Sequence, residues 1–341
     1  MKLRVQSPDE LIAAVDHFMG FHVEDSITVI PVSPGLPGSR VDLPTNPAER
    51  TEMVNTLLRA YERSSGGNVM VIGFADSPSQ VEPASRQLRE AFSAVGVEVR
   101  GRLWAGEQRW TDLDSGVSGI RSTTAANRIA AEMVAEGRKA PAASRAAVDQ
   151  EFIGNPESVT RYLPGVAGDM ENSTSARERQ WAIGQAEAFL EDGRALTDPQ
   201  AARMLACLQS VTVRDQLAQR ISTETAHSWS PLWDNLTRRS PDALVAPAAT
   251  LSAISSWCQG DGARAWAALD RIPTDQRAAY PLAGLVASAL QGGVPPGFWD
   301  KSCSRAVDAV PVETPTGLNV RNPRPEPPSI EATRPGIGHA R

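Results

Sequence analysis

Arginines and carboxylates beside β-branched runs are the residues of this sequence best placed to do chemistry. Arg40 and Asp42 alternate with Val41 and Leu43, so they share one face of a strand, where a guanidinium and a carboxylate can line a pocket for an anionic or polar ligand. The plainer reading is an ion pair between strands on the solvated face. Asp76 follows the apolar run 69–74 and precedes a helix, a place where open α/β sheets gather ligand-binding groups. Asp76-Ser77-Pro78-Ser79 is equally a helix entry, in which a side-chain oxygen accepts from the free N–H groups of the first turn.

A second cluster is aromatic. Trp104, Arg109, Trp110 and Asp112 offer two indoles about a turn with a guanidinium between them, a stacking platform for a planar ligand or an anchor for a protein partner. Trp also covers sheet edges where they meet neighbouring layers. Gly137-Arg138 and Ser144-Arg145 can hold an anion near a helix N-terminus, or simply end one helix and cap the next. His22, with Glu24 and Asp25 beside it, has the surroundings that tune an imidazole for proton transfer, although a loop histidine making a local hydrogen bond has the same neighbours. The four histidines, His17, His22, His227 and His339, have no metal-ligand spacing. GxGxxG, the Walker P-loop, HExxH and GxSxG are all missing. No catalytic residue, metal or cofactor is therefore assigned.

Composition narrows the partners. The 341 residues carry Lys+Arg 34 against Asp+Glu 40, a net charge of -6, without the basic excess that accompanies broad phosphate-backbone binding, so nucleic acid is not expected. No apolar stretch approaches the length of a membrane span, and the N-terminus turns acidic before any apolar run, against a signal peptide. Cys207, Cys258 and Cys303 are odd in number and far apart, which suits reduced thiols in the cytoplasm.

The elements that position these residues change character along the chain. Ser7-Pro8-Asp9-Glu10 caps a helix over 8–19, whose apolar residues recur at helical spacing. A strand over 27–32 turns through Ser33-Pro34-Gly35-Leu36-Pro37-Gly38 into a second at 39–43. Pro47 opens a helix; 68–74 is the most continuous apolar strand and should be central; a helix from Ser77-Pro78 leads to a strand at 97–104 and a short returning one at 108–110. The order αββαβαββ predicts a mixed-sheet α/β domain over residues 1–115. From about residue 122 the strand signal disappears, and windows at 123–137, 144–152, 175–191, 199–209, 213–224, 241–259, 262–269 and 280–291 read as helices. They predict an α-helical bundle or short helical-repeat domain over 116–310. The Pro-rich segment 311–341 should be a disordered tail.

Three segments carry a family resemblance. Gly20-Phe21-His22-Val23-Glu24-Asp25-Ser26 runs from a helix into a buried strand; Gly137-Arg138 precedes Ala143-Ser144-Arg145; and Trp257-Cys258-Gln259-Gly260-Asp261, Tyr280-Pro281-Leu282-Ala283 and Gly293-Val294-Pro295-Pro296-Gly297-Phe298-Trp299 follow in order. In this order they resemble the bacterial and phage domain-of-unknown-function family 4192, with a departure at Val23, where Pro is common. The resemblance covers all but the tail and implies no established activity.

Two function classes follow. One is a non-enzymatic protein-binding or scaffolding protein, whose helical array meets a protein partner. The other is an enzyme or sensor that holds a small polar or anionic molecule at the strand ends, with Arg40, Asp42 and Asp76 in one pocket. The missing nucleophile and phosphate loop favour the first.

Overall fold

The computed structural model describes residues 5–62 and 66–308. The Pro-rich segment expected to form a tail lies outside them. The chain begins with α1 (Pro8–Met19), β1 (Ser26–Pro31), β2 (Ser39–Asp42), α2 (Pro47–Tyr61), β3 (Gly67–Phe74), α3 (Pro78–Ala94), β4 (Val97–Ala105), β5 (Arg109–Asp112) and β6 (Ser118–Ile120). This is the expected order with one further strand. At three residues, with Gly119 in the middle, β6 is too short and too poor in β-branched residues to stand out in the sequence.

Helices follow: α4 (Thr123–Ala135), α5 (Arg145–Gln150), α6 (Glu157–Thr160), α7 (Leu163–Glu171), α8 (Ser175–Asp192), α9 (Asp198–Cys207), α10 (Val211–Ala218), α11 (Ala226–Arg239), α12 (Val245–Cys258), α13 (Gly262–Asp270), α14 (Thr274–Ala279), α15 (Pro281–Gln291) and α16 (Gly297–Asp308). Among the described residues after Ile120, the only β pairing is an isolated bridge between Phe21 and Ala142. The fold is thus an α/β sheet followed by helices, as the loss of β-branched runs predicts.

The strands form one sheet in the order β2-β1-β3-β4-β5-β6. β3 and β4 are parallel, joined through α3, and the other neighbours are antiparallel. β3 is central, as its unbroken apolar run requires. Because strand residues alternate between faces, Ile27, Val29, Val69 and Val71 pack beneath α2 and α3 with Leu57, Tyr61, Leu88 and Phe92. Ile30, Ile72, Phe74, Leu103 and Ala105 face the other way and join Ile12 and Val15 of α1 in a cluster that continues to Trp233, Leu251 and Leu269. The sheet therefore lies between two helical layers. α3 sits so near β3 that a Cβ on Gly73 would lie 2.2 Å from Val81 Cγ1.

Local chemistry sets the entry to the sheet. Ser7 accepts from Glu10 N–H at the start of α1, Pro8 occupies the first turn, and Gly20 ends the helix at φ 80, a left-handed conformation that glycine adopts without a Cβ penalty. The chain then passes through Phe21 into β1.

α12 is the hub of the second helical layer, with all of its residues buried. Two of its hydroxyls are satisfied within the helix, Thr250 Oγ1 donating to Ala246 O at 2.7 Å and Ser255 Oγ to Leu251 O at 2.9 Å, while Ser252 Oγ donates to Asp234 of α11. α11 was not expected, because Pro231 and a Ser-rich run interrupt the helical pattern. An interior Pro costs roughly 3 kcal/mol, but α11 buries Trp229, Leu232, Trp233 and Leu236, each worth about 1.5–3 kcal/mol. Burial wins.

Candidate functional site

Two concavities flank the segment 20–26. The first is a cleft of about 680 Å³ between the sheet and the second helical layer, within the size of ordinary small-molecule sites. Its walls come from the end of α1 and Phe21, the β1–β2 hairpin, one edge of α2, α12–α13, and the chain from the end of α15 to Pro296. Phe18, Phe21, Ile30, Leu36, Trp257 and Trp266 make these walls largely apolar, and Arg40, Arg138 and Arg145 stand among them with Asp270 as the one carboxylate.

Each arginine is held differently. Arg40 Nε donates to Ser26 Oγ at 2.8 Å, its guanidinium lies 5.9 Å from the Phe21 ring centroid, and Nη1 pairs with Asp42 at 2.7 Å. Arg40 opposes Thr28 in the sheet register and so faces the second helical layer; the expected solvated face is the wrong one. Its side chain is 25% exposed against 86% for Asp42, so the partner sits in water and the pair is weak. Arg145 pairs with Asp149 and, at 3.3 Å, with Asp270, which also takes Arg277 at 2.6 Å. The Arg138 guanidinium makes no hydrogen bond or ion pair among the described residues. α5 is a helix of 6 residues capped by Ser144, so Arg145 reaches the cleft as a side chain from its first turn.

The hairpin wall is fixed rather than loose. Tyr61 Oη donates to Pro37 O at 2.6 Å, and Asn68 N–H donates to Ser33 Oγ at 3.0 Å. Burial pushes the Tyr61 phenol well above its ordinary range, so that it stays a donor. Gly35, at φ 85, makes the turn. On the opposite wall Asp261 caps α13 by accepting from Arg264 N–H at 3.0 Å. Burial pushes its carboxyl up, against the pull of that N–H and of the nearby Arg264 and Arg138 charges.

The second concavity, about 720 Å³, opens where the parallel strands β3 and β4 end. It is lined by Asp9, Asp16, Glu24, Asp25, Asp76 and Glu107 against Arg121, with His17 and His22. Asp16 Oδ2 lies 2.6 Å from His22 Nδ1, and Asp16 Oδ1 accepts from Val23 N–H at 3.0 Å. His22 Nε2 is 3.8 Å from Glu24. This arrangement ties the end of α1 to the strand entry. Burial pushes the His17 imidazole down. No group of three or more His, Cys, Asp or Glu among the described residues is arranged to hold a metal ion.

The expected site residues are therefore only partly gathered. Arg40 and Asp42 are paired, but Asp76 lies in the acidic concavity, apart from them. Nor is Asp76 the helix cap: Ser77 holds that place, in a capping box where its N–H donates to Gln80 Oε1 at 2.9 Å, while Asp76 is exposed. Trp104 and Trp110 belong to opposite faces of the sheet and form no common platform. Trp104 packs on the α2–α3 side, with Nε1 donating to Ala75 O at 2.9 Å, whereas Trp110 packs on the other side, its ring against Gly119. Arg109 is exposed, and Asp112 accepts from Asp114 N–H at 2.8 Å in the turn after β5. Sequence reasoning missed Trp266 and Asp270, although their i,i+4 spacing with Gly262 would place all three on one face of α13.

No helix among the described residues is long and apolar enough to cross a membrane. No curated protein and no solved structure matches the chain. A family model described as a domain of unknown function, DUF4192, matches residues 8–297. The match takes in the Gly20–Ser26 segment, both concavities and every wall of the interlayer cleft; the chain belongs to the DUF4192 family.

Proposed function

We propose that this protein binds a small anionic molecule in the cleft between the sheet and the second helical layer, through Arg40 and Arg138. The observation that carries the reading is Arg138, a guanidinium in an apolar-walled cleft with no ion pair among the described residues. Arg138 is half-buried, so its guanidinium is held at the cleft without a salt-bridge partner among those residues and is open to an anion that enters. The apolar walls lower the local dielectric and strengthen whatever charge pairing forms there. The site differs from the strand-end pocket expected from Arg40, Asp42 and Asp76, since only Arg40 lines it.

The protein-partner reading has less support. The large exposed apolar residues of the helical part, Val134, Ile153, Leu190, Val211, Leu285 and Phe298, come from six separate segments, and single exposed apolar residues are ordinary. The free thiols Cys207, Cys258 and Cys303 suit the cytoplasm, where we place the protein.

A thermal-shift measurement tests the proposal. Pyrophosphate and citrate at millimolar concentration should raise the melting temperature of the wild type, and Arg138→Ala should remove the rise. No stabilisation by any small anion, or an equal rise in the variant, would refute it.

A further inference from the structure

The walls of the cleft say more about the ligand than its charge does. Building on the anion-binding reading, we infer that the ligand is a mononucleotide, its phosphate at Arg40 and Arg138 and its base against Trp266. α13 gives the cleft a direction. At its N-terminal end the cap Asp261 lies 3.6 Å from the position of a Cβ on Gly20, and Phe21, the next residue, carries the Arg40 guanidinium on its ring. Arg138 lines the same cleft, and its charge acts on the Asp261 carboxyl against the burial that raises it. Arg40 and Arg138 thus gather at this end. At the other end Arg145 is already neutralised by Asp149 and Asp270, so the ligand's negative charge belongs with the first pair.

Between the two ends stands Trp266, one helical turn after Gly262 and one before Asp270, all three lining the cleft. A Cβ on Gly262 would meet nothing within 4 Å, which leaves room beside the indole. Trp266 is half-buried and its Nε1–H has no hydrogen-bond partner among the described residues. It therefore offers a flat face for a base to stack on and a free donor for a ring or sugar acceptor. Asp270, 48% exposed, is an acceptor at the far edge, suited to the exocyclic amino group that adenine, guanine and cytosine share. α13 spans 9 residues, about 13 Å at 1.5 Å per residue, which matches a phosphate-to-base span. A simple dicarboxylate would leave the Trp266 face unused, and a lipid-like anion would leave the Trp266 donor without an acceptor.

Calorimetric titration of the full chain at low salt, with AMP, GMP, CMP, the matching nucleosides and pyrophosphate, tests the inference. At least one mononucleotide should bind about tenfold or more tighter than both pyrophosphate, which lacks the stacking base, and its own nucleoside, which lacks the charged phosphate contact; each is worth about that much. Trp266→Ala should erase the advantage over pyrophosphate while leaving pyrophosphate affinity unchanged, and Trp266→Phe, which keeps a ring, should retain most of it. Binding of pyrophosphate with no nucleotide exceeding it, or a nucleotide advantage untouched by Trp266→Ala, would overturn the nucleotide inference and leave the anion reading standing. If no compound binds, both fall.

Discussion

Glu178, on α8, is the carboxylate whose ionisation should be most visible in the stability of the fold. It is buried, and it accepts from both Nε and Nη2 of Arg203 at 2.8 Å, while that guanidinium lies 4.4 Å from the Trp181 ring centroid. The hydrogen-bonded arginine holds the carboxyl at about 2, against an ordinary value of 4.5. At about 1.36 kcal/mol per pKa unit, this difference contributes on the order of 3 kcal/mol at neutral pH. Because the folded-state pKa is depressed, that stability is complete above about pH 4.5 and is lost as pH falls through about 2. Glu178→Gln removes the charge and keeps the shape. Urea unfolding at about pH 7 should show the variant roughly 2–3 kcal/mol less stable, and at about pH 2.5 the gap should close to under about 1 kcal/mol. A gap of the same size at both pH values would show that Glu178 contributes through packing alone.

Three substitutions test how the sheet end is built. Gly73→Ala forces a methyl to 2.2 Å from Val81 Cγ1, far inside van der Waals contact, so α3 must move; a loss of about 3 kcal/mol or more in urea unfolding is expected, and a loss below about 1 kcal/mol would mean that α3 does not seat on β3 as described. Ser77→Ala should cost about 1 kcal/mol through the lost cap, whereas the exposed Asp76→Ala should stay within about 0.5 kcal/mol. The reverse ranking would restore Asp76 as the capping residue.

The sheet was readable from the chain because its signals are local. Ser7-Pro8 and Gly20 bracket α1, and the β-branched run of β3 has nowhere to lie but the centre of the sheet. β6 and α11 were not readable, since three residues around Gly119 make no pattern and Pro231 contradicts the helix that burial of Trp229 and Trp233 imposes. The cleft was half legible. Arg40, Arg138 and Arg145 drew attention as cations near element ends, but nothing local says that residues separated by roughly a hundred positions in sequence face one cavity. Asp76 and the Trp104–Trp110 pair misled for a related reason. Proximity in sequence placed Trp104 and Trp110 together, while strand alternation and the register, in which Ala105 and not Trp104 opposes Trp110, put them on opposite faces.

The binding isotherm of pyrophosphate on the intact protein, measured by calorimetry at low salt for the wild type, Arg138→Ala and Asp76→Ala, tests the central claim most directly. Loss of one charged hydrogen-bonding group costs about 1.5–3 kcal/mol, which is roughly ten- to more than hundredfold in affinity. The interlayer cleft predicts saturable binding by the wild type, that weakening for Arg138→Ala, no weakening for Asp76→Ala, and a loss of affinity as salt is raised. Absence of binding to the wild type, or equal affinities for the wild type and Arg138→Ala, would contradict it.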